Sequence, residues 1–202
     1  MIKIYVGFVG LNLKDIKPSN VLLDPSCNMK LCDFGLCRSI KEGWFLTDYV
    51  ATRYYRPPEV LLGSKGYSQG IDMFAVGCVL GEMFLSRPIF PGNSTMNQLE
   101  KIVEVIGFPT ASERIEMQSP FTETMLNAIV PSQQLQLSRL CPNAPDEAVD
   151  LMEHCMKFSP WKRCSAELGL THVYVSDFHN PSYENNFDGE IKVRLLVRQL
   201  HF

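Results

Sequence analysis

The pattern of hydrophobic and polar positions predicts a mainly helical fold around one very apolar helix. Nearly every position from 69 to 85 is apolar, so this segment is predicted to form a central, buried helix. Residues 95–106 carry apolar side chains on one side only, with Ser94 placed to cap the helix and Gly107 placed to end it. Short helical pieces are predicted within residues 109–144, where proline interrupts the pattern. A clear helix is predicted over residues 145–158 and one more short helix over 165–170.

Two short apolar runs near the start of the chain predict a β-hairpin. They cover residues 21–23 and 29–32, and the sequence Asp-Pro-Ser-Cys-Asn between them is typical of a turn. Residues 36–58 show no sustained period and are predicted to form a long loop, which in a compact domain is usually functional.

Composition indicates one ordinary globular domain. The 202 residues are 46% hydrophobic and 20% charged, and the net charge of −3, with both signs mixed, does not suggest nucleic-acid binding. The seven cysteines form no Cys-x-x-Cys pair, so we expect reduced thiols in an intracellular compartment. The four histidines show no metal-ligand spacing, and no apolar stretch is long enough for a membrane span.

Two motifs on either side of the predicted hairpin indicate phosphoryl transfer. Residues 15–20 read Asp-Ile-Lys-Pro-Ser-Asn, and residues 33–35 read Asp-Phe-Gly. Phosphoryl transfer needs metal ions that spread charge and a carboxylate beside the attacking hydroxyl. Asp15 is the candidate carboxylate, Lys17 can project toward the transferred phosphate, and Asn20 and Asp33 offer the oxygen ligands that Mg²⁺ prefers. Either motif alone could be an ordinary turn, but two such turns in this arrangement are a poor explanation of the pair.

These motifs, followed by Pro-Pro-Glu at 57–59, resemble the signature set of the protein kinases. Three further segments resemble the mitogen-activated protein kinases: the Thr-Asp-Tyr of residues 47–49, the substrate-binding loop of residues 50–56 and the sequence Arg-Pro-Ile-Phe-Pro-Gly at 87–92. Residues 21–24 and 81–83 resemble the atypical branch of these kinases, that of mitogen-activated protein kinase 15. The resemblance implies a Ser/Thr protein kinase that uses ATP and Mg²⁺ and is proline-directed.

The implied fold is a protein-kinase C-terminal lobe over residues 11–184, a helical bundle around a buried central helix with a small hairpin at the active site. It would include a helical insert at about 93–142. Residues 1–12 would be a remnant of the segment leading to the catalytic loop, and residues 185–202 a tail. No Gly-x-Gly-x-x-Gly and no strand Lys precede residue 11, so we expect the N-terminal β lobe to be absent. We therefore expect a truncated form that is inactive alone; the alternative is a binding or scaffold module without catalysis.

The resemblance also assigns roles to individual residues. Thr47 and Tyr49 would be phosphorylated, unless they are ordinary exposed loop residues, and Thr52 would brace Asp15 and Lys17. Four cations would hold the phosphates, namely Lys14 and Arg38 for Thr47, and Arg53 and Arg56 for Tyr49.

Two structural contacts are implied as well. Glu59 would pair with Arg163, and Asp72 would accept backbone N–H groups of the catalytic loop, although Asp72 could also be a favourable charge at a helix start. The chain departs from the family at Leu13 and Lys14, where His-Arg is usual, and Phe74 stands in place of a Trp.

The expected partners are protein substrates and an upstream kinase or autophosphorylation, without nucleic acid or membrane, in the cytoplasm or nucleus. The acidic docking cluster of the family is thin, because Asn180 and Tyr183 stand where carboxylates are usual and Glu184 remains.

Overall fold

Helices are the main regular elements of the structure, a computed structural model that describes residues 11–13, 15–26, 28–33, 38–39, 53–64, 66 and 68–183. The helices of this part are α1 Pro58–Leu61, α2 Gly70–Leu85, α3 Thr95–Ile106, α4 Ala111–Glu116, α5 Thr122–Asn127, α6 Leu137–Leu140, α7 Asp146–Cys155 and α8 Ala166–Leu170. Short 3₁₀ turns lie at Pro18–Asn20, Arg53–Tyr55, Pro160–Lys162, Ser176–Phe178 and Pro181–Tyr183. Among the helices of the described residues, none combines the length and apolar character that crossing a membrane requires.

The predicted hairpin is confirmed. Strand β2, Val21–Leu23, pairs antiparallel with β3, Met29–Leu31. The carboxylate of Asp24 closes the turn, because it accepts hydrogen bonds from the backbone N–H groups of Ser26 at 2.9 Å and Asn28 at 2.8 Å. The hydrogen bonds from Asn28 lower the pKa of Asp24, so the turn is stabilised by an ionised carboxylate.

A second strand pair was missed by the sequence pattern. Strand β1, Leu11–Asn12, pairs antiparallel with β4, Arg38–Ser39, with Leu11 opposite Ser39. Strand β4 lies inside the segment 36–58 that was predicted as a loop. A strand of two residues is too short to show an alternating period, so only the fold reveals this pairing.

Helix α2 is central, but its burial is continuous only over its first six residues. Its first six residues, Gly70 to Ala75, are all buried, whereas Val76 and Val79 are half-buried and Met83 is 59% exposed. Helix α2 packs mainly on α7, and this contact needs a glycine. A Cβ at Gly77 would lie 2.6 Å from Met156 Cγ. The prediction of burial along the whole helix was therefore too strong for its second half.

Helix α3 matches the predicted bounds and both predicted ends. The hydroxyl of Ser94 accepts a hydrogen bond from the backbone N–H of Asn97 at 3.0 Å, and Gly107 ends the helix with φ of 88°. The buried Gln98 donates to the carbonyl of Tyr54 at 3.3 Å, which joins α3 to the 3₁₀ turn before α1. The same turn carries Tyr55, which packs against the hydrophobic cluster that contains Leu13 and Ile16 of the predicted catalytic loop.

Candidate active site

The predicted catalytic loop brings its two charged side chains into contact. The 3₁₀ turn Pro18–Asn20 begins at a proline and folds the chain back, so that the Asn20 N–H donates to the Lys17 carbonyl at 3.0 Å. Lys17 Nζ then lies 2.7 Å from Asp15 Oδ2, and the two side chains are 16% and 7% exposed. The ammonium group therefore sits directly beside the candidate catalytic carboxylate.

Asn20 completes this cluster from a buried position. Its Nδ2 donates to the Asp15 carbonyl at 2.9 Å and to Asp15 Oδ2 at 3.0 Å. Both partners are acceptors, so only the NH₂ group satisfies them, and the amide orientation is fixed by chemistry. The carbonyl Oδ1 of Asn20 consequently faces away from Asp15.

Asp33 follows the hairpin, and the residue before it, Cys32, contacts the backbone of Asn20. The N–H of Cys32, which is half-buried, donates to the Asn20 carbonyl at 3.0 Å, so β3 delivers Asp33 to the side of the catalytic loop. Asp33 is exposed and has φ of 61°, the left-handed region that side chains other than Gly seldom adopt. Such backbone strain is typical of functional sites, where the surrounding structure enforces it.

The predicted catalytic loop is fastened to the start of α2. Asp72, in the first turn of that helix, accepts a hydrogen bond from the Leu13 N–H at 2.8 Å in a buried position. The side chains of Leu13 and Ile16 pack against Ala75 of the same helix. The position of Asp72 therefore agrees with both predicted roles: it accepts a hydrogen bond from the loop backbone, and it is a negative charge in the first turn of a helix.

Glu59 and Arg163 form a fully buried ion pair. Arg163 Nη1 and Nη2 donate to the two carboxylate oxygens of Glu59 at 2.7 and 2.6 Å, and both side chains are 0% exposed. The remaining donors of the guanidinium reach three backbone carbonyls at 2.7–3.0 Å, those of Gly70, Phe158 and Lys157. The Phe74 ring lies 5.0 Å below the guanidinium carbon.

The segment before α1 carries two of the predicted phosphate-holding cations. Arg53 and Arg56 are both half-buried, and Arg53 Nε is buried with no hydrogen-bond partner in the described residues. Between them, Tyr55 donates its hydroxyl to Glu82 of α2 at 2.7 Å, and burial together with this carboxylate raises the Tyr55 pKa. Tyr55 therefore anchors the segment that presents the two arginines.

Several predicted site residues lie outside the described residues, namely Lys14, Thr47, Tyr49 and Thr52. For Arg38 the structure gives the backbone position in β4 and no side-chain placement. Of the predicted docking positions, Tyr183 is in the last 3₁₀ turn and Asn180 accepts from the Ser182 N–H at 3.1 Å, while Glu184 lies outside the described residues.

The donor set beside Asp15 fits a hard cation. The Asn20 Oδ1 atom faces away from Asp15, and Asp33, which comes shortly after β3, has an exposed carboxylate. Both side chains offer oxygen ligands of the kind that Mg²⁺ prefers. The pair Asn20 and Asp33 would hold Mg²⁺ with the phosphates of a nucleotide, and Lys17, which contacts Asp15, adds a positive charge to the same loop.

The sequence pattern missed a cluster formed by Asp150, His154 and His172. Their ligand atoms lie within 4.8 Å of one another, although the histidine spacing along the chain showed no metal motif. The Tyr174 N–H donates to His172 Nδ1 at 3.2 Å, so neutral His172 carries its proton on Nε2 and donates it to Asp150 at 2.8 Å. This hydrogen bond lowers the Asp150 pKa. A metal would need the Nε2 lone pair, so the geometry favours a structural contact between α7 and the chain after α8.

Comparison with known proteins places these residues in a family context. The model of the family described as "Protein kinase domain" matches residues 10–175. The chain is similar to "Extracellular signal-regulated kinase 2" of Dictyostelium discoideum, with 48% identity over 95% of this chain and 54% of that protein. It is also similar to "Mitogen-activated protein kinase 15" of Xenopus laevis, with 44% identity over 88% of this chain and 32% of that protein, and to its Caenorhabditis elegans namesake, with 41% identity over 88% and 40%. The chain thus spans about a third to a half of the length of these relatives.

Proposed function

This chain belongs to the protein kinase domain family, with mitogen-activated protein kinases among its relatives, and we propose that it forms the C-terminal lobe of a proline-directed Ser/Thr kinase. The lobe would cover residues 11–184 with a helical insert at about 93–142. The carrying observation is the cluster of Asp15, Lys17 and Asn20, joined through the Cys32 backbone to the segment that bears Asp33.

The chemistry of the cluster follows from its contacts. Asp15 would accept the proton of a substrate Ser or Thr hydroxyl, because its carboxylate is held in place by Lys17 and Asn20. The Lys17 ammonium would meet the charge that develops on the transferred phosphoryl group of ATP. Mg²⁺ supplies neutralisation of the phosphate oxygens when bound, and Asn20 and Asp33 are the residues that would hold it.

Regulation would act on the segment before α1. Thr47 and Tyr49 are the proposed phosphorylation sites, and each phosphate would add close to −2 charge. Arg53 supports this proposal, since its buried Nε has no hydrogen-bond partner in the part of the chain that the structure describes. Arg56, Arg38 and Lys14 are the other proposed phosphate-holding residues.

We further propose that the 202 residues alone bind ATP weakly and transfer no phosphate at a measurable rate. They contain no Gly-x-Gly-x-x-Gly sequence, the element that covers the nucleotide phosphates in kinases. The residues proposed to face the substrate, Asp15 and Lys17, are nevertheless in this chain. A nucleotide-gripping lobe supplied in front of residue 11 should therefore restore transfer.

A chimera tests this proposal. The N-terminal part of the Dictyostelium discoideum kinase is fused in front of residue 11, and phosphate transfer to a Ser-Pro peptide is measured. We expect transfer by the chimera and a loss of ~10²–10⁴-fold with Asp15→Asn, because that change removes the proton acceptor. Asp177→Asn, in an exposed 3₁₀ turn, is the matched control and should leave transfer unchanged.

The alternative function is a binding or scaffold module without catalysis. It is favoured by Leu13, which packs on Ala75 where the family has a hydrogen-bonding His. A chimera that is folded but inactive, and that stays inactive with Leu13→His, would support this alternative. Transfer that survives Asp15→Asn would contradict the role assigned to Asp15.

A further inference from the structure

Two cysteines outside the proposed catalytic cluster, Cys155 and Cys164, have their sulfur atoms 3.7 Å apart. Cys155 is the last residue of α7 and is 1% exposed, whereas Cys164 follows the 3₁₀ turn Pro160–Lys162 and is half-buried. The backbone holds the two segments together, since the Cys164 N–H donates to the His154 carbonyl at 3.0 Å. The proximity is therefore built into the fold and does not depend on side-chain rotation alone.

The two thiols have opposite chemical character. The hydrogen bond between the two thiols, together with nearby His154, lowers the Cys164 pKa to about 7. The same pairing and burial raise the Cys155 pKa. Since the thiolate is the reactive form, Cys164 is the nucleophile of the pair and Cys155 is its partner.

Two other buried cysteines lack these features. Burial raises the pKa of Cys78, whose sulfur lies 4.0 Å from the Met156 sulfur, and it raises the pKa of Cys141. Neither of them has a second thiol as a hydrogen-bond partner among the described residues. These cysteines serve as internal references for the reactivity of Cys164.

We propose that Cys155 and Cys164 are an oxidation site, which a hydroperoxide converts to a reversible disulfide. The Cys164 thiolate attacks hydrogen peroxide, the O–O bond breaks, and a sulfenic acid and hydroxide form. The Cys155 sulfur then attacks the sulfenic sulfur; the S–S bond forms, the S–O bond breaks, and water leaves with the Cys155 proton. Both thiols are oxidised and one peroxide is reduced to two waters, with the hydroxide protonated by solvent.

The position of this pair connects it to the buried anchor of the lobe. Cys164 directly follows Arg163, which holds Glu59 and the carbonyls of Gly70, Phe158 and Lys157. The disulfide would tie the end of α7 covalently to the residue after this arginine. The inference does not depend on kinase activity, because it needs only the folded helical region.

Mass spectrometry of the native 202-residue chain tests the proposal. The reduced chain is treated with hydrogen peroxide, alkylated and digested with trypsin. We expect a cross-linked peptide that joins residues 140–157 to residues 164–192, and dithiothreitol should reverse it. Cys141→Ser is the matched control, since residues 140–157 also contain Cys141, and this variant should form the cross-link at the normal rate.

Trapping identifies the order of the steps. In Cys155→Ser the sulfenic acid on Cys164 should persist and react with dimedone, whereas in Cys164→Ser the cross-link should be lost. Oxidation in guanidinium, where the fold is absent, should lose the selectivity for this pair. The proposal fails if native wild-type chain yields no Cys155–Cys164 cross-link, or if the denatured chain yields it with equal selectivity.

Discussion

The proposed catalytic cluster and the Glu59–Arg163 pair both bring opposite charges into contact, yet they are built in different ways. Asp15, Lys17 and Asn20 lie within five positions along the chain, and the cluster leaves the Asn20 carbonyl oxygen directed away from its partners. Glu59 and Arg163 are 104 positions apart, and all three guanidinium nitrogens donate within the protein. We call the first arrangement open, because it is local and leaves a polar atom directed away from its partners. We call the second closed, because it is long-range and all its guanidinium nitrogens donate within the protein.

This difference separates the proposed catalytic function from stability. A charge that must meet substrate and metal needs unused bonding capacity, which an open cluster offers. A charge buried as a structural anchor must instead be fully satisfied, because an unpaired buried charge is very costly. The two regions should therefore respond differently to the removal of one partner.

The largest effect is expected at the closed pair. Arg163→Met or Glu59→Met leaves a buried charge alone, so each should lower the free energy of unfolding by ~3–5 kcal/mol. Urea denaturation measures this loss. The double variant Glu59→Met with Arg163→Met should lose less than the sum of the two single changes, because no unpaired charge remains.

A surface pair provides the matched control. Arg114 and Glu123 lie 3.1 Å apart, and the Glu123 side chain is 64% exposed. Glu123→Met should cost less than ~1 kcal/mol, since exposed pairs contribute little. Additive losses at Glu59 and Arg163, or a loss at Glu123 of the same size, would show that burial does not distinguish the two pairs.

The intermediate effect is expected where the catalytic loop meets α2. Asp72→Ala removes the acceptor of the Leu13 N–H and leaves a buried donor unsatisfied, which costs ~1–3 kcal/mol. Asp72→Asn keeps an acceptor oxygen and should cost less. Hydrogen exchange at the Leu13 amide gives a local measurement, and exchange as slow in Asp72→Ala as in the wild type would contradict this role of Asp72.

The same contrast explains what could be predicted from the sequence. The local elements were predictable, because a hairpin turn, the cap at Ser94 and the cluster of residues 15–20 are each encoded within a few positions. Long-range geometry was not. The pairing of β1 with β4 leaves no periodic signal, and the approach of Cys155 to Cys164 depends on how the chain returns after α7.

Contacts across the chain became predictable only where a family resemblance supplied them. Glu59 and Arg163 carry no local pattern that links them, and the pair was implied by the resemblance alone. The second half of α2, which is only partly buried, shows what a resemblance does not supply. Apolar composition predicts that a helix is buried. It does not specify which residues of the described chain pack against that helix.

The smallest effect is expected at Asp33, which follows the backbone contact of Cys32 with Asn20 of the open cluster. It tests whether this side of the comparison carries backbone strain. Asp33→Gly and Asp33→Ala both remove the carboxylate, so their difference isolates the backbone. With φ of 61°, a Cβ is disfavoured and glycine is not, and the Gly variant should be more stable than the Ala variant by about 1 kcal/mol in urea denaturation. At Lys30, in the exposed part of β3, the same two substitutions should show the opposite order, because glycine weakens a strand. Equal stability of the two Asp33 variants would mean that the left-handed backbone at this position does not lower the free energy of unfolding. The proposed catalytic region would then be open without backbone strain.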